Sequence, residues 1–165
     1  MASSVQLAAG DPELLAVVKR ARKLLNRRAL AAAAASAVPI PGVDWLVDAA
    51  LLSKLIPAIN EAFGLTPEHI AALPQRKREQ VEKAVSVVGS MVIGKFITRD
   101  LVIRAAAAAG RRLTVKQATK YVPIAGQAIS ALIGYAAIRY LGEEHIRDCV
   151  QVCRSAQLQL PSARG

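Results

Sequence analysis

Two similar proline-containing turns divide the apolar part of this sequence, and they constrain its fold more than any other feature. The first is Val38-Pro39-Ile40-Pro41-Gly42, and Val122-Pro123-Ile124-Ala125-Gly126 is a near copy. A residue before proline avoids the helical conformation, whereas proline itself suits the first turn of a helix. A long apolar run follows each turn, so the sequence predicts an internal pseudo-repeat of two hydrophobic helical hairpins. The predicted structural corners are Pro39, Pro41, Gly42, Pro123 and Gly126.

The rest of the composition also favours helices. Apolar residues make up 53% of the 165 residues but aromatic residues only 4%, so the core is expected to be aliphatic and closely packed. No useful length of sequence alternates as a half-buried strand would, and no Asn-Gly or Asp-Gly pair marks a hairpin. We therefore predict an all-α fold, a compact helical bundle. Residues 1–10 are expected to be a disordered start, 11–156 a single helical domain and 157–165 a flexible tail.

The charge of the chain indicates an anionic partner. Lys and Arg number 22 against 12 Asp and Glu, a formal net charge of +10, and the mean hydropathy is +0.32. A chain that is both basic and apolar suits an anionic phospholipid surface better than nucleic acid, which usually requires polar and aromatic contact residues. Cys149 and Cys153 lie one helical turn apart and are poorly placed to bridge each other, which favours a reducing, cytoplasmic location.

The first helix is predicted to carry the main basic face. Asp11-Pro12-Glu13 is a typical helix start, and Leu14, Val18, Ala21 and Leu25 recur at helical spacing as its buried stripe. The basic residues of this helix are either a solvated face or a contact for an anionic membrane or partner. The candidate membrane- or anion-binding residues are Lys19, Arg20, Lys23 and Arg27, with Arg111 and Arg112 in a second patch.

Two rows of small residues predict close contacts between helices. Small side chains four residues apart let helix backbones approach closely. The first row is Ser86, Ser90 and Gly94, and the second is Gly126, Ser130 and Gly134. A bulky substitution such as Gly134→Leu is expected to disrupt folding if the second row lies at a crossing.

Two further features concern the apolar segments. Asp48 lies in a hydrophobic helix, where a buried carboxylate requires a basic partner, so we expect an ion pair there. Residues 121–138 carry no charge and reach the minimum length of a membrane span. Their proline, glycine and polar residues favour a buried core helix over a span, with shallow insertion as a third alternative.

Motifs that would carry chemistry are incomplete. Residues 89–95 match the start of a phosphate-binding P-loop, but Phe96 replaces the required Ser or Thr and no strand precedes the segment. His145, Cys149 and Cys153 share one helix face, but three ligands on one segment close a tetrahedral metal site poorly, which favours packing. No nucleophile elbow is present. We predict no enzyme activity, no cofactor and no metal.

A resemblance to a known family adds to this interpretation. The pattern of residues 36–44, an apolar helix and then Phe63-Gly64-Leu65 resembles the helical domain of immunity-related GTPases. It is also similar to a related bacterial family of unknown function that accompanies GTPases. The run 121–127, which leads into a glycine-containing apolar helix, is similar to that family's second corner. The resemblance covers residues 28–150 and implies membrane association beside a nucleotide-binding domain, although residues 1–165 resemble the helical part alone.

These observations predict a non-enzymatic helical module that associates with anionic membrane surfaces. Its expected location is peripheral, at the cytoplasmic face of the membrane. The alternative is a soluble interaction or regulatory subunit, serving a separate GTPase or forming a homo-oligomer through its apolar faces. An enzyme with a site around Asp44 and Asp48 is the least favoured interpretation, and nucleic acid is not the expected partner.

Overall fold

The protein is predominantly helical in the part that its computed structural model describes, which is residues 2–35, 44–95, 104 and 126–161. No strand occurs in these ranges, so the all-α prediction is confirmed. Six helices lie there: α1 (Ser4–Ala8), α2 (Pro12–Ala35), α3 (Asp44–Ala62), α4 (Pro67–Ala72), α5 (Gln75–Val88) and α6 (Gly126–Ala156).

Helix α6 is the element around which the others pack. It contacts α1, α2, α3 and α5, and its contact with α2 is the most extensive. Ile138, Ile146 and Val150 of α6 are buried together with Leu25 of α2 and Phe63, so the core lies between these helices. Helices α2 and α3 also contact each other, as the first predicted hairpin requires. The predicted corners Pro39, Pro41, Gly42 and Pro123 lie outside the described residues, and Gly126 begins α6.

Helix α5 ends earlier than the sequence predicts. Gly89 adopts a left-handed conformation (φ 72°) and its N–H bonds to the carbonyl of Val85, which closes the helix after Val88. The predicted small-residue row Ser86, Ser90 and Gly94 is therefore not a helical row, and Ser86 is exposed. The apolar side chains of Val92 and Ile93, which follow the end of α5, are buried in the core.

A close helix crossing does occur, but at Gly142, which belongs to neither of the predicted rows of small residues. A Cβ atom on Gly142 would lie 3.1 Å from Cγ of the fully buried Leu25 and nearer still to its methyl groups. Helices α2 and α6 thus approach closely because one of them has no side chain there. The predicted row Gly126, Ser130 and Gly134 belongs to α6, but its surroundings lie outside the described side chains.

Residues near both ends of the described chain contact the bundle; the sequence predicted a disordered start at 1–10 and a flexible tail at 157–165. Ser3 caps α1 with a capping box, and Ser4 and Ala8 are buried. Helix α1 is fixed to α6 by Glu143, whose Oε1 accepts bonds from the backbone N–H of Ser4 (3.0 Å) and from its hydroxyl (2.6 Å). At the other end, Leu158 and Leu160 pack against the core. These contacts hold residues 2–10 and 157–161 against the bundle, whereas residues 162–165 lie outside the described part.

Candidate anion-binding face of helix α2

Helix α2 begins where the sequence predicts, and its cap fixes its orientation. Oδ1 of Asp11 accepts a bond from the N–H of Leu14 (3.0 Å), and Pro12 occupies the first helical position. These residues satisfy backbone groups that a helix start leaves free. The side of α2 that packs against the bundle consists of Leu14, Val17, Val18, Ala21, Leu25 and Ala29, all buried.

Four cations lie on the opposite side of α2. Lys19, Arg20, Lys23 and Arg27 are all exposed. Their spacing of three, four and seven residues brings them to one side of the helix, and we call them the basic face of α2. Among the described residues, none of the four forms an ion pair. Their charges are consequently uncompensated by local carboxylates and available to an external anion.

A fifth cation of α2, Arg22, has a different role. Its Nε lies 3.2 Å from Oε2 of Glu143, and both side chains are partly buried. The same carboxylate holds Ser4, so Glu143 ties α1 and α2 to α6. This contact cannot be predicted from local sequence, because its partners come from three separate segments.

The other predicted charged sites are not placed by the structure. Arg111 and Arg112 lie outside the described residues, so their relation to the basic face stays a prediction. Asp48 belongs to α3, but its side chain is also outside the described part, and the predicted ion pair is therefore untested.

A buried polar cluster connects α3, α6 and the segment after α5. Asn60 donates from Nδ2 to the carbonyl of Val92 (3.1 Å), which leaves its Oδ1 facing Nε2 of His145 at 2.9 Å. Oδ1 only accepts, so Nε2 of His145 carries the proton. The other ring nitrogen, Nδ1, is buried without a hydrogen-bond partner. Cys149 Sγ completes the cluster 3.8 Å from the same Oδ1.

Burial determines the protonation of this cluster. It lowers the pKa of His145 to about 4, because no water solvates the imidazolium. Burial also raises the pKa of the Cys149 thiol well above its usual value, and nearby Cys153 and Asp148 add to the effect. A neutral imidazole beside a protonated thiol suits a packing role. The thiol is poorly activated as a nucleophile, because the thiolate is the reactive form.

Cys153 lines a small open cleft between the start of α2 and the end of α6. The cleft measures about 370 Å³, and its charged lining residues are Asp11 and Arg154. Both serve the fold, since Asp11 caps α2 and Nη1 of Arg154 donates to the carbonyl of Leu7 (2.7 Å). Burial, and secondarily Asp11, raise the pKa of Cys153 to about 12. Both charged side chains of the cleft thus take part in contacts that hold the helices together.

The remaining sequence motifs have simple structural outcomes. His145, Cys149 and Cys153 are buried on α6, and the described part of the chain contains no group of three or more His, Cys, Asp or Glu residues arranged to hold a metal ion. The P-loop-like segment follows helix α5 rather than a strand. None of the helices in the described ranges has the length and apolar character needed to cross a membrane.

The fold and its exposed charges thus define an all-α protein with a cationic helix face. Comparison with known proteins found no matching family model, no matching curated protein and no matching solved structure.

Proposed function

We propose that this protein is a non-enzymatic helical module that docks on an anionic membrane surface through the basic face of α2. The observation that carries the proposal is the exposure of Lys19, Arg20, Lys23 and Arg27 on one side of a helix whose other side is buried in the core. A long rigid helix presents these charges together, so they meet a flat anionic surface at the same time.

The strength of this attraction is sufficient for reversible docking. A basic residue close to an anionic leaflet contributes about 1 kcal/mol, so the four together contribute about 4 kcal/mol at moderate salt. The net charge of +10 adds long-range attraction that salt screens. The cytoplasmic leaflet is the surface richest in anionic lipid, so the proposal puts the protein there.

Two further features support a lipid surface over nucleic acid. Helix α2 itself contains no aromatic residue, so its basic face offers no stacking platform for bases from its own sequence. The resemblance to helical domains that associate with membranes agrees with the same assignment, and by the same resemblance a separate GTPase is the protein partner to expect.

Vesicle co-sedimentation tests the proposal. We expect the protein to bind vesicles of phosphatidylcholine with phosphatidylglycerol, not phosphatidylcholine alone, and to be released by high salt. Replacing Arg20 and Lys23 with Gln should weaken binding by about thirtyfold. The matched control replaces Arg76 and Lys83 of α5, both exposed, and removes the same charge elsewhere. Equal losses in the two variants would mean that net charge, and not this face, governs binding.

A second candidate is a soluble interaction or regulatory subunit. It is favoured by apolar exposure at the end of α5 and just beyond, where Val87 is 80% and Met91 38% exposed. In that case the protein would not bind anionic vesicles. Sedimentation velocity would show concentration-dependent self-association, and Val87→Ser would weaken it. Vesicle binding by a monomer would decide in favour of the membrane.

A further inference from the structure

The exposed side of α2 is basic from Lys19 to Arg27 and apolar after Arg27. After Arg27 the next residues on that side are Leu30, Ala31 and Ala34, all exposed, and Leu30 has 60% of its surface in water. Leu30 and Ala34 follow Arg27 at steps of three and four residues, so they continue the same stripe. We call these three residues the apolar end of α2.

We propose that the apolar end of α2 inserts below the lipid headgroups, with Leu30 as the anchor, while the basic face binds the phosphates. This inference rests on the proposed function and adds the orientation of the bound helix and its apolar contact. A single exposed leucine is common on protein surfaces. Here its position on the stripe of four uncompensated cations connects it to the binding surface.

The dimensions of the helix fit this arrangement. Lys19 and Leu30 are separated by about 16 Å along the axis, from the rise of 1.5 Å per residue. The long side chains of Lys and Arg reach out to the phosphates while their methylene stems contact apolar surface. Ala31 and Ala34 beside Leu30 are short, so the backbone of α2 can approach the interface closely at that end. A helix of this kind lies in the plane of the membrane interface.

The basic face and the apolar end of α2 together match one class of partner. An acidic protein or a nucleic acid would neutralise Lys19, Arg20, Lys23 and Arg27 but has no requirement for an apolar group at the end of the row. An anionic bilayer offers phosphates and an apolar phase a few ångströms below them. The partner that fits both parts of α2 is therefore an anionic lipid bilayer.

A fluorescent probe at position 30 tests the insertion. Cys149 and Cys153 are 0% and 4% exposed, so a thiol reagent should label a Leu30→Cys variant at its new cysteine, and the parent protein serves as the labelling blank. An NBD label there should shift to the blue on binding to phosphatidylglycerol-containing vesicles and be quenched by nitroxide lipids. The matched control is Gln80→Cys, an exposed polar position on α5, whose label should stay aqueous.

A second variant measures the contribution of the anchor without a probe. Leu30→Ser should weaken binding to anionic vesicles by about tenfold and leave its salt dependence unchanged. Leu30 is largely exposed, so this change should not affect folding.

The outcomes separate the inference from the proposed function. Salt-sensitive binding with an aqueous label at position 30 would overturn the insertion and leave charge-driven docking intact. Two observations together would point to an acidic macromolecule as the partner. The fluorescence of the label at position 30 would stay unchanged on addition of vesicles, and single-stranded DNA or polyglutamate would bind to the basic face. No binding to anionic vesicles would overturn both proposals.

Discussion

At the scale of single residues, Lys23 lies among like charges. Lys19 and Arg27 are each four residues away and Arg20 is three residues away, all exposed on the same side of α2. Like charges at these spacings destabilise a helix by about 0.2–0.5 kcal/mol per pair. The basic face is thus arranged at some cost to the fold, as is common where function requires an unfavourable local arrangement.

Lys23→Gln should therefore stabilise the protein while it weakens vesicle binding. We expect the free energy of unfolding to rise by about 0.6–1.5 kcal/mol at low salt, with the gain disappearing at high salt, as measured by urea denaturation. Lys83→Gln on α5 is the control, because Lys83 follows Glu79 by one turn and its removal should give no gain. A Lys23 variant that is less stable than the parent would contradict the account of like-charge repulsion.

At the scale of helices, the α2–α6 contact depends on the missing side chain of Gly142. A methyl group there would press on Leu25, which is fully buried and has little room to move. Gly142→Ala should destabilise the protein by about 1–2 kcal/mol, although alanine has the higher helix propensity. Thermal denaturation of the variant measures this loss.

A double-mutant cycle checks the cause of that loss. Leu25→Ala alone should cost about 2–5 kcal/mol because it leaves a cavity. Combined with Gly142→Ala it should cost less than the sum of the two changes, because the added methyl group then has space. Additive losses would mean that the two residues do not press on each other.

Helix boundaries show which elements the sequence predicts and which it does not. The starts of α2 at Pro12 and α4 at Pro67 were predictable because their capping residues are local. The end of α5 was not predicted, because the apolar residues that continue past Gly89 resemble a continuing helix, even though glycine is a common helix stop. The start of α1 was also missed, although Ser3 and Gln6 form the sequence signature of a capping box.

At the scale of the whole molecule, the exposed site was more predictable than the interior. Lys19, Arg20, Lys23 and Arg27 were identified because an amphipathic helix places its charges by its own periodicity. The pairing of Asn60 with His145 was not predicted, because the two residues meet only after α3 and α6 pack. Nothing in the local sequence of either residue indicates the other, and the same holds for Glu143 with Ser4 and Arg22.

The burial of His145 beside Asn60 should make the stability of the whole bundle depend on pH. His145 stays neutral in the folded protein until the pH approaches 4, whereas its pKa is 6.5 in the unfolded chain. Between these values the unfolded chain binds a proton that the folded protein does not, so acidification favours unfolding. The contribution of His145 is fully retained above pH 6.5 and declines by about 3 kcal/mol as the pH falls to 4.

Denaturation of the parent protein and of a His145→Gln variant at pH 7.5 and pH 4.5 measures this dependence. Glutamine cannot titrate but keeps a donor that can reach Asn60, so the variant should lose less stability than the parent on acidification, by about 2–3 kcal/mol. The difference between the two pH values is the quantity to compare, because the substitution also changes packing at neutral pH. Because His145 joins α6 to Asn60 of α3 and, through Asn60, to Val92, its protonation should be seen as global unfolding and not as local fraying. Equal pH dependence in the two proteins would show that other groups control acid unfolding.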